Sequence, residues 1–155
     1  MPGQKLKQML DERSIRYISI NHSPAYTARE TAASTFIPRR EFAKTIIVDL
    51  DGDKVMAVVS ASRHVDLAAL REIAGASQAR LATEDEFKTL FPDCEIGAMP
   101  PFGSLYQVPV YVDKMVTEVD DLCFNAGTHE QILRMDCGDY LEIEKPQIGD
   151  IAIKE

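Results

Sequence analysis

The chain has 155 residues, 45% hydrophobic and 27% charged, with a formal net charge of −8; a chain of this length can bury a core without disulfide or metal staples. No apolar run approaches the ~20 residues of a membrane-spanning helix, and Met1 to Arg16 lacks a signal-peptide apolar region. Residues 1–80 hold 12 Lys/Arg against 9 Asp/Glu and residues 81–155 hold 5 against 16, which argues against extensive wrapping of a nucleic-acid backbone. A local contact through Lys5, Lys7, Arg13, Arg16, Arg39, Arg40, Lys44 or Arg63 stays open beside the reading of these as solvated charges. The three cysteines, Cys94, Cys123 and Cys137, form no CxxC pair and are odd in number. A reduced, cytoplasmic protein with buried thiols is expected.

Lys5 to Arg13 reads as a short helix with Leu6, Met9 and Leu10 inward, and Ser14 to Asn21 alternates as a strand. Thr27-Ala28-Arg29-Glu30 has the pattern of a capping box and predicts a helix through Thr31–Ser34, ended by Pro38-Arg39-Arg40. Ala43 to Leu50 is rich in β-branched residues, Asp51-Gly52-Asp53 signals a tight turn, and Lys54 to Ser60 returns as its hairpin partner. Asp66 caps a helix running to Ile73, with Gly75 at its end. Thr83-Glu84-Asp85-Glu86 opens a second capped helix that Pro92 stops. Val108 to Asp113, Asp121 to Asn125 and His129 to Met135 read as strands, the last two paired across Ala126-Gly127, and Asp136 caps a final helix through Tyr140, Leu141 and Glu144. Without a regular βαβ beat, the pattern predicts one α+β domain over residues 1–155, a mixed, mostly antiparallel sheet with surrounding helices.

Three elements carry candidate chemistry. Gly97-Ala98-Met99-Pro100-Pro101-Phe102-Gly103 combines two fixed φ angles with flanking glycines, so it predicts a stiff loop able to wall a pocket. Lys44 opens a hydrophobic strand on the face of Ile46 and Val48; it reads either as a cation holding a phosphate or carbonyl oxygen, or as a strand-end lysine whose stem packs while its head reaches water. His129 follows Gly127 and Thr128 in a turn, as a donor or proton relay, or as a turn histidine bonded to backbone. His22 could line a pocket, and His64 beside Asp66 reads equally as cap chemistry. No histidine pair has metal-ligand spacing, and no nucleophile elbow, phosphate loop or activated cysteine is visible, so neither metal nor cofactor is expected. The acidic pairs Asp120/Asp121 and Glu142/Glu144 read as solvated.

From His22 to Tyr140 these elements, together with Tyr26-Thr27, Ala32, Ala43-Lys44-Thr45, Asp113 and Phe124-Asn125-Ala126-Gly127-Thr128-His129, resemble the YbaK/prolyl-tRNA synthetase editing-domain family of trans-acting aminoacyl-tRNA deacylases. The resemblance implies hydrolysis of the ester joining a wrong, small amino acid to the tRNA 3′-terminal ribose, with water attacking, often helped by the ribose hydroxyl. It implies catalytic roles for Lys44, Gly127 and His129. Substrate contacts would come from His22, Tyr26, Thr27, Thr45 and the loop Gly97, Ala98, Met99, Pro100, Pro101, Phe102 and Gly103. Thr45 stands where an alanine-selective branch carries Asn, which points away from alanine as the target. The implied partner is the aminoacyl-tRNA acceptor end, with a synthetase or elongation factor supplying tRNA selectivity, and no DNA or membrane. The other reading is a non-catalytic module that uses the same pocket to hold an aminoacyl end or nucleotide.

Overall fold

The structure, a computed structural model, describes residues 4–21 and 37–154. Helix α1 (Gln4–Glu12) buries Leu6 and Leu10, one turn apart on its apolar stripe. Ser14, at φ 57°, reverses the chain into β1 (Tyr17–Asn21). The predicted Thr27–Glu30 cap and the helix after it lie outside the described residues. A 3-10 turn at Arg39–Glu41 leads into β2 (Ala43–Leu50), which pairs antiparallel with β3 (Asp53–Ser60) along its whole length. The hairpin turns on Asp51 and Gly52, at φ 52° and 96°; two successive positive φ values match the right-handed twist of the strands. Asp51 then accepts the backbone N–H of Ser77 at 2.9 Å and of Gln78 at 2.8 Å.

Helix α2 (Leu67–Ala74) has the predicted ends: Asp66 accepts from Ala69 N at 3.1 Å, and Gly75 takes the left-handed φ of 68°. The capping box at Thr83 and Glu86 forms, but α3 (Glu84–Phe87) is four residues long rather than running to Pro92. Phe87 and Phe91 both turn into the core, and the chain tightens into i+3 bonds from Leu90 to Phe87 and from Cys94 to Phe91. Strands β6 (Val110–Asp113), β7 (Asp121–Asn125) and β8 (Gln131–Asp136) follow, with α4 (Cys137–Glu144) capped by Asp136 as expected. Four short strands carry no alternation legible in the sequence: β4 (Arg63–Val65), β5 (Ala79–Leu81), β9 (Gln147–Gly149) and β10 (Ala152–Lys154).

The fold is α+β, with three sheets among the described residues. The five-stranded sheet has order β5-β2-β3-β6-β9, antiparallel around β2 and parallel from β3 through β6 to β9. The antiparallel β1-β8-β7 sheet and the β4/β10 ribbon complete it. Each face of β2 meets a different core. Ala43 and Ile47 join α1, Phe87, Phe91, Phe102 and Phe124. Val48 and Leu50 join Leu70 of α2 and Ile151, with Ile46 packed against them. Ile151 donates its N–H to buried Asp113 at 3.0 Å and accepts from Asp66 N at 2.7 Å, which closes the second core. None of the described helices is long and apolar enough to cross a membrane.

The segment joining α3 to β6 is fixed by packing. The Phe102 ring meets Phe124 and Tyr140 edge-on at centroid distances of 5.5 and 5.1 Å, and the Tyr140 hydroxyl donates to Pro101 O at 2.7 Å. At Gly103 a Cβ would lie 2.1 Å from Val108 O, so only glycine allows this approach. Glu144 accepts from both Ser104 Oγ and Ser104 N. It is therefore a half-buried anchor rather than a solvated charge, and burial raises its carboxyl above the usual range.

At the far end of the hairpin, Asp49 accepts from Lys54 at 2.7 Å and Arg80 at 3.1 Å, and Arg80 forks onto Glu86 at 2.6 and 2.7 Å. Hydrogen bonds from Arg80 and from Thr83 N hold the Glu86 carboxyl well below its ordinary range, and Lys54 with Gly52 N lowers Asp49. Depressed folded-state carboxyls contribute stability that is full above the ordinary range and lost as pH falls from that range toward the lowered folded-state value. Stability of wild type should fall more steeply than that of Arg80→Ala between about pH 5 and pH 3; parallel plots of unfolding free energy against pH, each point from urea denaturation, would refute this. Tyr140→Phe leaves Pro101 O without its buried donor and should cost about 1–3 kcal/mol in the same assay.

Candidate active site

Two loops are joined by backbone. Gly127, at φ 97°, follows β7; its N–H donates to Ala98 O at 2.9 Å and its carbonyl accepts from Glu95 N at 2.8 Å. His129, 7% exposed, donates its N–H to Glu95 Oε1 at 2.9 Å, and its ring Nε2 lies 2.7 Å from Ile96 O. A carbonyl only accepts, so Nε2 carries the proton there and cannot act as a base. Of the two readings of His129, the backbone-bonded one describes this nitrogen. Gly97 has φ 85°, and a Cβ on it would sit 3.4 Å from His129 Cε1. The positive φ, more than the space, is what calls for glycine.

The predicted loop therefore has two parts. Ala98, Met99, Pro100, Pro101, Phe102 and Gly103 are buried, whereas Gly97 is exposed, as are Glu95 and Ile96 just before the loop. Ala98 N is bonded to Glu95 O and Phe102 N to Pro100 O. Among the described residues, the backbone N–H groups of Ile96, Gly97, Met99 and Thr128 have no acceptor. They are the amides of the two loops left to donate elsewhere.

Lys44 is the second residue of β2, opposite Val59 and half-buried. Phe42, just before it, forms a parallel bridge with Cys123 of β7, and both side chains join a small apolar cluster with Ile132. Strand alternation puts Lys44 on the same side of its strand as Phe42, and Asn125 on the same side of β7 as Cys123. Asn125 lies two residues before Gly127. Thr45 alternates to the opposite side, toward Ala43 and Ile47; its Oγ1 is buried without a hydrogen-bond partner among the described residues. His22, Tyr26 and Thr27 lie outside the described residues. His64 is exposed on β4 opposite Ile153, and the cap chemistry near it belongs to Asp66.

Other candidates are structural. Asp113 caps the turn at Lys114–Glu118 and holds Ile151. Asp121 pairs with Arg134 at 3.0 Å, while Asp120 is exposed. Burial pushes the Cys94 thiol up to about 12 and those of Cys123 and Cys137 up to about 11, so none is a thiolate near neutrality. Cys94 packs with Tyr106, whose hydroxyl donates to Asp93 at 2.8 Å, and Lys5 lies 5.4 Å above the Tyr106 ring. That cluster anchors the start of the Gly97 loop. A groove of about 660 Å³ at the Asp51–Gly52 turn is lined by Arg71, Asp49 and Arg80, at the opposite end of β2 from Lys44.

Sequence reasoning missed Glu95 and the Tyr140 hydroxyl as organisers of these loops. Glu95 had one signal, a carboxylate two residues before Gly97 that could reach a free N–H; the Tyr140 partner is a carbonyl 39 positions away and has none.

Residues 22–143 match the family model of the aminoacyl-tRNA editing domain. The chain is 25% identical over 150 residues to the multifunctional Ser/Thr-tRNA deacylase ProXp-y of Escherichia coli (strain K12), covering 94% of this chain and 89% of that protein. It is 30% identical over 106 residues to the proline–tRNA ligase of Staphylococcus aureus (strain Newman), covering 65% of this chain but 18% of the ligase. A solved structure described as a trans-editing enzyme for prolyl-tRNA synthetase superposes with a TM-score of 0.82 at 22% identity, covering 99% of this chain and 96% of that one, and supports the same fold. With the family match spanning most of its length, the chain belongs to the aminoacyl-tRNA editing domain family.

Proposed function

We propose that Lys44, the Gly97–Gly103 loop and the Gly127–His129 turn form the site at which this protein removes a small amino acid from mischarged tRNA. As a member of the editing family it is an aminoacyl-tRNA deacylase acting in trans, a hydrolase of the ester between amino acid and terminal ribose. The observation that carries the assignment of residues is the joining of the two loops through Gly127 and Glu95.

An aminoacyl ester is already activated, so the protein need only orient water and stabilise charge. When water adds to the carbonyl carbon, the carbonyl oxygen becomes an oxyanion. The unengaged amides of Gly97, Met99 and Thr128 are the donors for it, each such donor being worth on the order of 10²–10³ in rate. Lys44 adds positive charge on the same side and anchors the terminal adenosine. Its ammonium is a point charge, not a base, while protonated. Gly127 and His129 act by holding geometry: the glycine N–H is bonded to Ala98 O, and His129 keeps Ile96 and Gly97 in place. The buried Pro100-Pro101-Phe102 wall cannot give way, which suits rejection by size. An apolar wall separates neighbouring side chains by only ~1–3 kcal/mol per methylene, so small residues are the targets.

Work on tRNA supports the reading of a cytoplasmic protein. The acidic surface leaves tRNA selection to a synthetase or elongation factor. Assayed on a panel of tRNAs mischarged with small amino acids, wild type should deacylate at least one. Lys44→Ala should lose at least about 100-fold in kcat/KM, on the scale of one electrostatic group, with an unchanged thermal midpoint. Full activity in folded Lys44→Ala would remove Lys44 from the reaction, and binding without turnover across the panel would identify a binding module instead.

A further inference from the structure

Strand β7 carries a polar group the fold does not use. Asn125 is 8% exposed, and its side-chain Oδ1 is fully buried with no hydrogen-bond partner among the described residues. Its neighbours do not supply one: it pairs with Ile132 on β8, and Cys123, Phe42 and Ile132 on its side are an apolar cluster. Buried amide oxygens are nearly always bonded, so an orphan in a native core calls for a role. A leucine would fill the same space without the penalty.

Its position indicates what that role is. Asn125 follows the bridged Cys123 by two residues, as Lys44 follows Phe42, and it ends β7 two residues before Gly127. Along β7 it therefore lies between the bridge next to Lys44 and the Gly127 turn that the proposed site uses.

We propose that Asn125 is a substrate-contacting residue whose Oδ1 accepts a hydrogen bond from a hydroxyl of the aminoacyl-adenosine end. The proposal rests on the deacylase reading above. A hydroxyl fits better than the α-ammonium because a second cation beside Lys44 would be repelled. Two hydroxyls share this chemistry: the ribose hydroxyl next to the ester, and the side-chain hydroxyl of serine or threonine. A site built to bond a substrate hydroxyl discriminates far more sharply than an apolar wall, because an analogue lacking the group leaves the buried acceptor unpaired.

The test compares wild type with Asn125→Leu, and with Asn125→Ala should the leucine not fold, on tRNA mischarged with serine and with alanine. Thermal midpoints are measured alongside. Asn125→Leu should keep or raise the midpoint and lose at least tenfold in kcat/KM. A loss on the serine substrate alone assigns the partner as the side-chain hydroxyl; an equal loss on both assigns the ribose hydroxyl. A kcat/KM within twofold of wild type on both substrates overturns the proposal, as does a midpoint lowered by more than about 5 °C, which would mean the fold itself uses the amide. Should wild type deacylate neither these nor any other mischarged tRNA, the deacylase reading itself falls and this proposal falls with it.

Discussion

Everything proposed for this site depends on one clasp: the Gly127 N–H on Ala98 O and the Glu95 N–H on Gly127 O. Without it the two loops are ordinary connections, one after a short helix and the other within a hairpin. With it, a bend rooted in the three-stranded sheet and a bend rooted in the main core share one rigid edge. Each backbone bond is worth only about 0.5–1.5 kcal/mol net. Their effect comes from geometry, since both use a residue whose φ of 97° few side chains tolerate. Glu95 and His129 then close the ring through side chains.

Local signals in the sequence resolved the ends of elements well. Asp66, Thr83, Asp136 and Gly75 announce caps because capping is a contact between residues three or four apart, and the structure forms each of them. The hairpin was equally plain, since the Asp51-Gly52 pair and two β-branched runs determine it. The short strands β5, β9 and β10 were not, because three residues carry no period. They exist because β2, β6 and β4 offer unpaired edges. Helix α3 stopped early for a tertiary reason, the burial of Phe87 and Phe91, that no local signal contains.

The site was legible as a set of residue types and much less as an arrangement. Gly97, Gly127 and His129 stand out through their punctuation and do meet. In β2 Lys44 has the strand parity of Ile46 and Val48, but the approach of the start of that strand to β7 is set by a bridge spanning 81 positions, from Phe42 to Cys123. Adjacent Thr45 illustrates the limit of reading by proximity in sequence: in an extended strand the next residue belongs to the other side. Whether a polar residue is satisfied or orphaned, as at Glu144 and Asn125, depends on partners that only folding supplies.

Ile151 has a consequence for how the molecule is made. It is fully buried, and its two backbone bonds tie the end of β6 to the cap of α2. Synthesis proceeds from the N-terminus, so the hairpin and α2 leave the ribosome some eighty residues before their plug. During that interval Val48, Leu50 and Leu70 have an apolar surface with nothing over it, the kind of transient exposure that invites association between nascent chains. The second core is thus completed only after Ile151 has emerged, and the protein's solubility in the making depends on the speed with which that residue arrives.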